Sequence, residues 1–433
     1  MRRRGLAALT ACCAAVALVL GTGPAATAEH DERPHTQNLK ALGHLEAEGS
    51  FVTPTPQGVN TDLAFWGKHI FQGTYGGFRV VHDAPGQPRE ISFTECTGNQ
   101  GDVVVWEDVL VRSWNSPAPA GATCDGQPVP AGFEGLHVFD ISDVRDPELV
   151  AAVPTACGSH TATGVPDTAN DRLLVYNNGS SPSCPWFEVV DVPLSDPDAA
   201  AVLRVEPLQA TTRCHDIGVI LGDVMMATCA AGGAANVFSL GGASGGTLED
   251  PAFLYSIAEP GVGTGGSWHS AAFTWDGEVI VLGWEPGGGA APECEATDPD
   301  VKKSMFFYDS ATGQKLGQWT LPRPQTAAEN CTIHNFNVVP LEDRYVVVSG
   351  NYQAGTWVTE FTDPANPVTV AWSDPEPLVP TQLGGAWSSY WYNNTIYESS
   401  ITEGLNVFRL SGPETAGALQ LEHLNPQTQE FSL

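Results

Sequence analysis

The chain has 433 residues, 42% of them hydrophobic and only 16% charged, with 46 Gly and 33 Pro spread along its whole length. So many turn formers exclude long helices and coiled coils, while short clusters of Leu, Val and Ile throughout argue against disorder. Nineteen Lys and Arg against fifty Asp and Glu leave a net charge of −31; such a surface repels phosphate backbones and anionic headgroups, which excludes nucleic-acid and membrane-surface binding.

In chain order, residues 1–28 read as an export leader. Arg2, Arg3 and Arg4 precede an apolar stretch from Leu6 to Leu20, and Ala26-Thr27-Ala28 supplies a small-residue cleavage site. Arg3-Arg4-Gly5-Leu6 is a weak twin-arginine match, so the export route stays open. Leu9-Thr10-Ala11-Cys12 resembles a lipoprotein box. Only about seven apolar residues precede Cys12, short for such a signal, which favours a soluble secreted form over lipid anchoring. No later apolar run approaches membrane-spanning length.

After an N-terminal segment (residues 29–59), a repeat fills residues 60–410. Its kernel is a short Phe/Val-rich strand, often followed by Asp and a Pro-containing turn. Copies begin at Gly77-Phe78-Arg79-Val80, Gly135-Leu136-His137-Val138, Trp186-Phe187-Glu188-Val189 and Asn236-Val237-Phe238. Three more begin at Met305-Phe306-Phe307, Trp357-Val358-Thr359 and Leu405-Asn406-Val407. Upstream of each lies an apolar hairpin, most openly Thr274-Trp275-Asp276-Gly277-Glu278-Val279, where Asp-Gly marks a tight turn. Each unit therefore holds four strands. A mean period of about 54 residues over seven units predicts an all-β, seven-bladed β-propeller rather than a pair of β-sandwiches. Ring closure needs a terminal strand, and Leu39 to Leu45 or Ala418 to Leu424, the latter within the C-terminal segment 411–433, are the alternatives.

Aligning the units on their kernels brings the entries into register. They end on Asp62, Glu95 (in Thr94-Glu95-Cys96), His160, His215, His269, His334 and Trp387. First strands of propeller blades line the channel, so these positions are expected to meet at one mouth. Four imidazoles in a ring suit one transition-metal ion such as Zn, Cu, Fe or Mn. Asp62 and Glu95 are expected to add an oxygen ligand or a general base, and Trp387 a wall for a bound ligand. Asp216 and Asn335, each following a ring histidine, are expected to fix tautomers. The plainer reading is that such histidines cap strands and bind channel water, spread by duplication of the repeat.

Removing the leader leaves eight cysteines, at 96, 124, 157, 184, 214, 229, 294 and 331. An even count in an exported chain favours disulfides over a Cys/His metal site. Pairing each with its neighbour in sequence is the simplest scheme, though sequence alone leaves the others open. Signatures of serine hydrolases, phosphate-binding loops, zinc peptidases and calcium loops are missing.

The stretch Gly135-Leu136-His137-Val138-Phe139-Asp140-Ile141-Ser142-Asp143, with Asp146-Pro147-Glu148-Leu149-Val150, resembles the repeat of the LVIVD family of secreted bacterial β-propellers, and weaker copies cover most of residues 60–410. The resemblance implies fold and export and carries no catalytic assignment. Three functions follow as expectations: a secreted monomer binding a small molecule, metal or partner through its histidine ring; a metal-dependent oxidase or hydrolase; or a non-catalytic scaffold binding extracellular protein or polysaccharide.

Overall fold

The computed structural model describes residues 34–46, 58–84, 86–179, 181, 183–209, 213–262, 266–378 and 383–433; residues 1–28, expected to form an export leader, lie outside them. The chain forms a seven-bladed β-propeller of antiparallel four-stranded blades. From the axis, the innermost strands of blades 1 to 7 are Asn60–Trp66, Gln100–Trp106, Thr161–Asp167, Cys214–Ile220, Gly266–Phe273, Phe336–Val338 and Ala386–Tyr392. Among the described residues the only helical pieces are short 3-10 turns, and no helix is long and apolar enough to cross a membrane.

Each sequence kernel is the third strand of its blade, from Gly77–Ala84 in blade 1 to Gly404–Leu410 in blade 7. Their aromatic residues explain the recurrence. Phe78 meets Phe139 of the next blade edge-on at 4.9 Å, Phe187 meets Phe238 at 5.6 Å, and Phe307 stacks on Phe361 at 4.4 Å. A blade in a ring buries both faces, so its inner strands are apolar throughout rather than alternating; Val279–Pro286 in blade 5 is buried at every position.

The N-terminal strand Leu39–Glu46 closes the ring. It pairs antiparallel with Gly404–Leu410 as the outermost strand of blade 7, from Leu39 opposite Leu410 to Glu46 opposite Gly404. The C-terminal segment does something different: it runs across the far ends of the innermost strands. The Leu419 amide donates to Pro340 O of blade 6, and Asn393 of blade 7 bonds Leu421 through both ends of its amide. His423–Leu424 then pairs with Trp66 and Phe65 of blade 1, and Asn425 exchanges two bonds with Val105 of blade 2. Thr428 donates to Gly164 O of blade 3 while pairing with Val219 of blade 4, and the Leu433 amide donates to Trp275 O of blade 5. One segment thus bridges every blade and closes one mouth of the channel.

The eight cysteines among the described residues are all bridged in the neighbour pairing: Cys96–Cys124, Cys157–Cys184, Cys214–Cys229 and Cys294–Cys331. The first ties an insertion of blade 2, the hairpin Thr123–Cys124 and Gln127–Pro128, to the end of blade 1. Four bridges suit an oxidising environment.

Candidate metal centre

The open mouth lies at the starts of the innermost strands, and a repeated irregularity aims side chains into it. In five blades the pairing of the first two strands slips at the same place: between Asn60 and Leu63, Gln100 and Val103, Cys214 and Ile217, Trp268 and Ala271, and Ala386 and Ser388. A β-bulge turns a side chain off the regular alternation. Each of these bulges contributes a residue to one cavity of about 200 Å³, namely Asp62, Asp102, His215, His269 and Trp387. His160 and His334 reach the same cavity from blades 3 and 6.

Six of the seven residues expected at the mouth therefore meet there, and Glu95 does not. It is exposed at the end of Gln87–Glu95, the outermost strand of blade 1. The insertion in blade 2 lengthens the chain between entry and kernel, so alignment on the kernel shifts the register; the true counterpart of Asp62 is Asp102. Glu285, Arg213, Tyr352, Tyr75 and Gln100 also line the cavity and were not singled out by sequence. Glu285 had a signal, as a carboxylate near the end of an otherwise apolar run.

The imidazoles form a contiguous row. Ring centres are 4.5 Å apart between His160 and His215, 3.8 Å between His215 and His269, and 4.1 Å between His269 and His334. Ligating atoms of His215, His269 and Glu285, all buried, lie within 4.8 Å of one another. Glu285 Oε1 is the focus, 3.9 Å from Nε2 of both His269 and His334. Two ligands each about 2.1 Å from an ion stand at most about 4.2 Å apart, so these spacings fit an ion after small side-chain adjustments.

Two tautomers are set by neighbours. His334 Nδ1 bonds the Trp387 carbonyl, which only accepts, so Nδ1 carries the proton and Nε2 a lone pair. His269 Nδ1 lies 2.7 Å from Ser270 Oγ, whose own proton goes to Asn335 Oδ1 at 2.8 Å, with Asp216 Oδ2 at 3.2 Å. The serine thus accepts from His269, again leaving Nε2 free to ligate. The Nδ1 atoms of His160 and His215 are buried and make no hydrogen bond among the described residues. Tyr352, held at φ 52° and exchanging backbone bonds with Ala386, donates its hydroxyl to Glu285 Oε1 at 2.7 Å.

Burial governs the charges. It pushes His215 and His334 down to about 3 and holds His160 and His269 well below the ordinary imidazole range, with neighbouring imidazoles and Arg213 adding to the effect. It lifts Glu285 and Asp216 to about 7 and Asp62 to about 6. Neutral imidazoles are ligands as they stand, and a divalent ion would return the carboxylates to their ionised form.

A second cluster, Cys96, Cys124 and His137, is excluded because both sulfurs are in a disulfide.

No family model matches this sequence, and no curated protein matches it either. Among solved structures, Raptor from Chaetomium thermophilum superposes with a TM-score of 0.51 at 11% identity, covering 86% of this chain. The likeness is one of fold. The chain spans only 29% of that protein's length, and nothing of its site is carried over.

Proposed function

We propose that this is an exported propeller of the LVIVD type that binds one transition-metal ion at its channel mouth through His215, His269 and Glu285, with His334 as a fourth ligand. The observation that carries the reading is the buried convergence of two imidazoles on a carboxylate, with the tautomers of His269 and His334 fixed from behind. Repeat duplication alone accounts for histidines at strand starts. It does not account for Glu285, which comes from a second strand, nor for Ser270 and the Trp387 carbonyl at the right nitrogens.

Two imidazoles and a carboxylate suit Zn, Fe or Mn. A metal-dependent oxidase or hydrolase is the second reading, favoured by the cavity beside the three donors, since catalytic centres keep a coordination position open. The test is equilibrium dialysis of untagged protein against each ion. One ion per chain in the wild type, and none in His215→Ala/His269→Ala with an unchanged circular dichroism spectrum, supports the proposal; equal uptake by both proteins overturns it.

A further inference from the structure

A β-bulge between the third and fourth strands recurs in all seven blades, after Val80 in the first and Val407 in the last. Counting back from it across the strand pairings gives the innermost strands a register that the blade 2 insertion does not disturb. His160, His215, His269 and His334 then share one layer with Trp387. The residue after each lies one step farther from the open mouth. These are Thr161, Asp216, Ser270, Asn335 and Ser388, and Asp62 and Asp102 hold the same position in blades 1 and 2. Every member of this second layer carries a side-chain oxygen. The layer faces the axis: Asp62, Asp102 and Thr161 line the cavity, and Ser270 bonds to Asp216 and Asn335 of its two neighbouring blades.

We infer that this layer holds a calcium ion, ligated by Asp62 and Asp102, with the Ser388 hydroxyl and water completing its shell. The three residues come from the consecutive blades 7, 1 and 2, across the channel from His215, His269 and Glu285, so the site does not rest on the proposed histidine centre. Asp62, Asp102 and Asp216 are all buried, and among the described residues none of them pairs with a lysine or arginine. Asp62 accepts from the Leu63 amide at 2.9 Å, the Tyr390 hydroxyl at 2.6 Å and Gln427 at 2.8 Å. Asp102 accepts only the backbone amides of Val103 at 3.0 Å and Ala162 at 2.7 Å, so each of its oxygens keeps a lone pair. Burial, and then the charge of Asp62, hold Asp102 well above the usual carboxylate range, as expected of a charge with no cation beside it. Ser388 is an independent sign. It is fully buried, yet its Oγ has no hydrogen-bond partner among the described residues, and such a group ordinarily finds one. Spacing selects the ion. Among the described residues no three carboxylate oxygens of this layer lie within 4.8 Å of one another, whereas zinc ligands stand at most about 4.2 Å apart. Calcium, with oxygens at about 2.3–2.6 Å, spans up to about 5 Å and accepts water where the protein does not reach; magnesium, at about 2.0–2.1 Å and strictly octahedral, fits less well.

The experiment is calorimetric titration of the whole protein with calcium in about 0.15 M salt, which screens the acidic surface. One calcium per chain should bind saturably, and protein already saturated with zinc should still take it up. Asp62→Asn, to which Gln427 can adapt by turning its amide, and Asp102→Asn should each weaken calcium about tenfold to a hundredfold. Asp146→Asn, on the exposed surface, should leave it unchanged. No saturable calcium binding by the wild type overturns the inference, since protons would then be what neutralises the layer. Equal affinity in Asp62→Asn and Asp102→Asn overturns it too, as does one-for-one displacement of calcium by zinc, which would put both ions at the histidines. Should Asp102→Asn fail to fold, Asp62→Asn and the zinc competition decide. A wild type that binds calcium at this site but no zinc would uphold the inference and remove the histidine centre.

Discussion

Ser270 is the residue on which the candidate site turns most sharply without itself being a ligand. It orients His269 by accepting from Nδ1 and is oriented in turn by Asn335. Ser270→Ala is expected to keep the fold and weaken zinc about tenfold to a hundredfold, the usual effect of losing such a partner; titration against a competing chelator measures it. The pKa shifts make a second prediction. Glu285 and Asp216, raised to about 7, contribute stability that is complete below their unfolded values near pH 4 and is lost as pH rises through 7. The depressed imidazoles run the other way. Their contribution is complete above about pH 6.5 and is lost as pH falls toward about 3, the value for His215 and His334. Zinc needs ionised carboxylates and unprotonated imidazoles, so it should raise the melting temperature more at pH 8 than at pH 5. Thermal melts with and without zinc read this, and a larger rise at pH 5 would contradict it.

At the scale of the element, the terminal segments do different work. The N-terminal strand completes blade 7, whereas the C-terminal segment bonds to every blade and seals one mouth. Deleting residues 419–433 should lower the melting temperature by several degrees, on the order of 2–4 °C per kcal/mol lost for a mid-sized chain. A truncated protein melting with the full chain would show the segment to be incidental. Cys214–Cys229 joins the first two strands of blade 4 directly beside His215, and Cys157 and Cys331 each lie three residues before a ring histidine. Thiol titration of the denatured, unreduced protein lacking residues 1–28 should find none of its eight cysteines free. Reduction should destabilise by about 2–4 kcal/mol per bridge and lower metal affinity in parallel.

For the whole molecule, most of the architecture was legible in sequence because a propeller repeats its requirements. Every kernel such as Phe78, Phe187 or Phe307 must pack against the next blade, so the pattern survives where identity does not. The site was legible only where it followed that repeat. His160, His215, His269 and His334 sit at equivalent strand starts, whereas Glu285 and Tyr352 come from a second strand and a loop that no period marks. Glu95 went astray because the blade 2 insertion broke the spacing. The choice of closing strand was hidden as well, since Leu39–Glu46 and the C-terminal segment carry similar short apolar patterns and only tertiary pairing separates them. The acidic surface also has a consequence for the whole molecule: it attracts cations, so the rate of metal uptake should fall as ionic strength rises.

The central claim is that one ion sits between His215, His269 and Glu285. Anomalous scattering from a crystal of the zinc-loaded protein, recorded on both sides of the zinc edge, tests it most directly. A single strong channel peak about 2.0–2.2 Å from the imidazole nitrogens of His215 and His269 and from a Glu285 oxygen is the expected result. Zinc found only on the acidic surface, with an empty channel mouth, would contradict it.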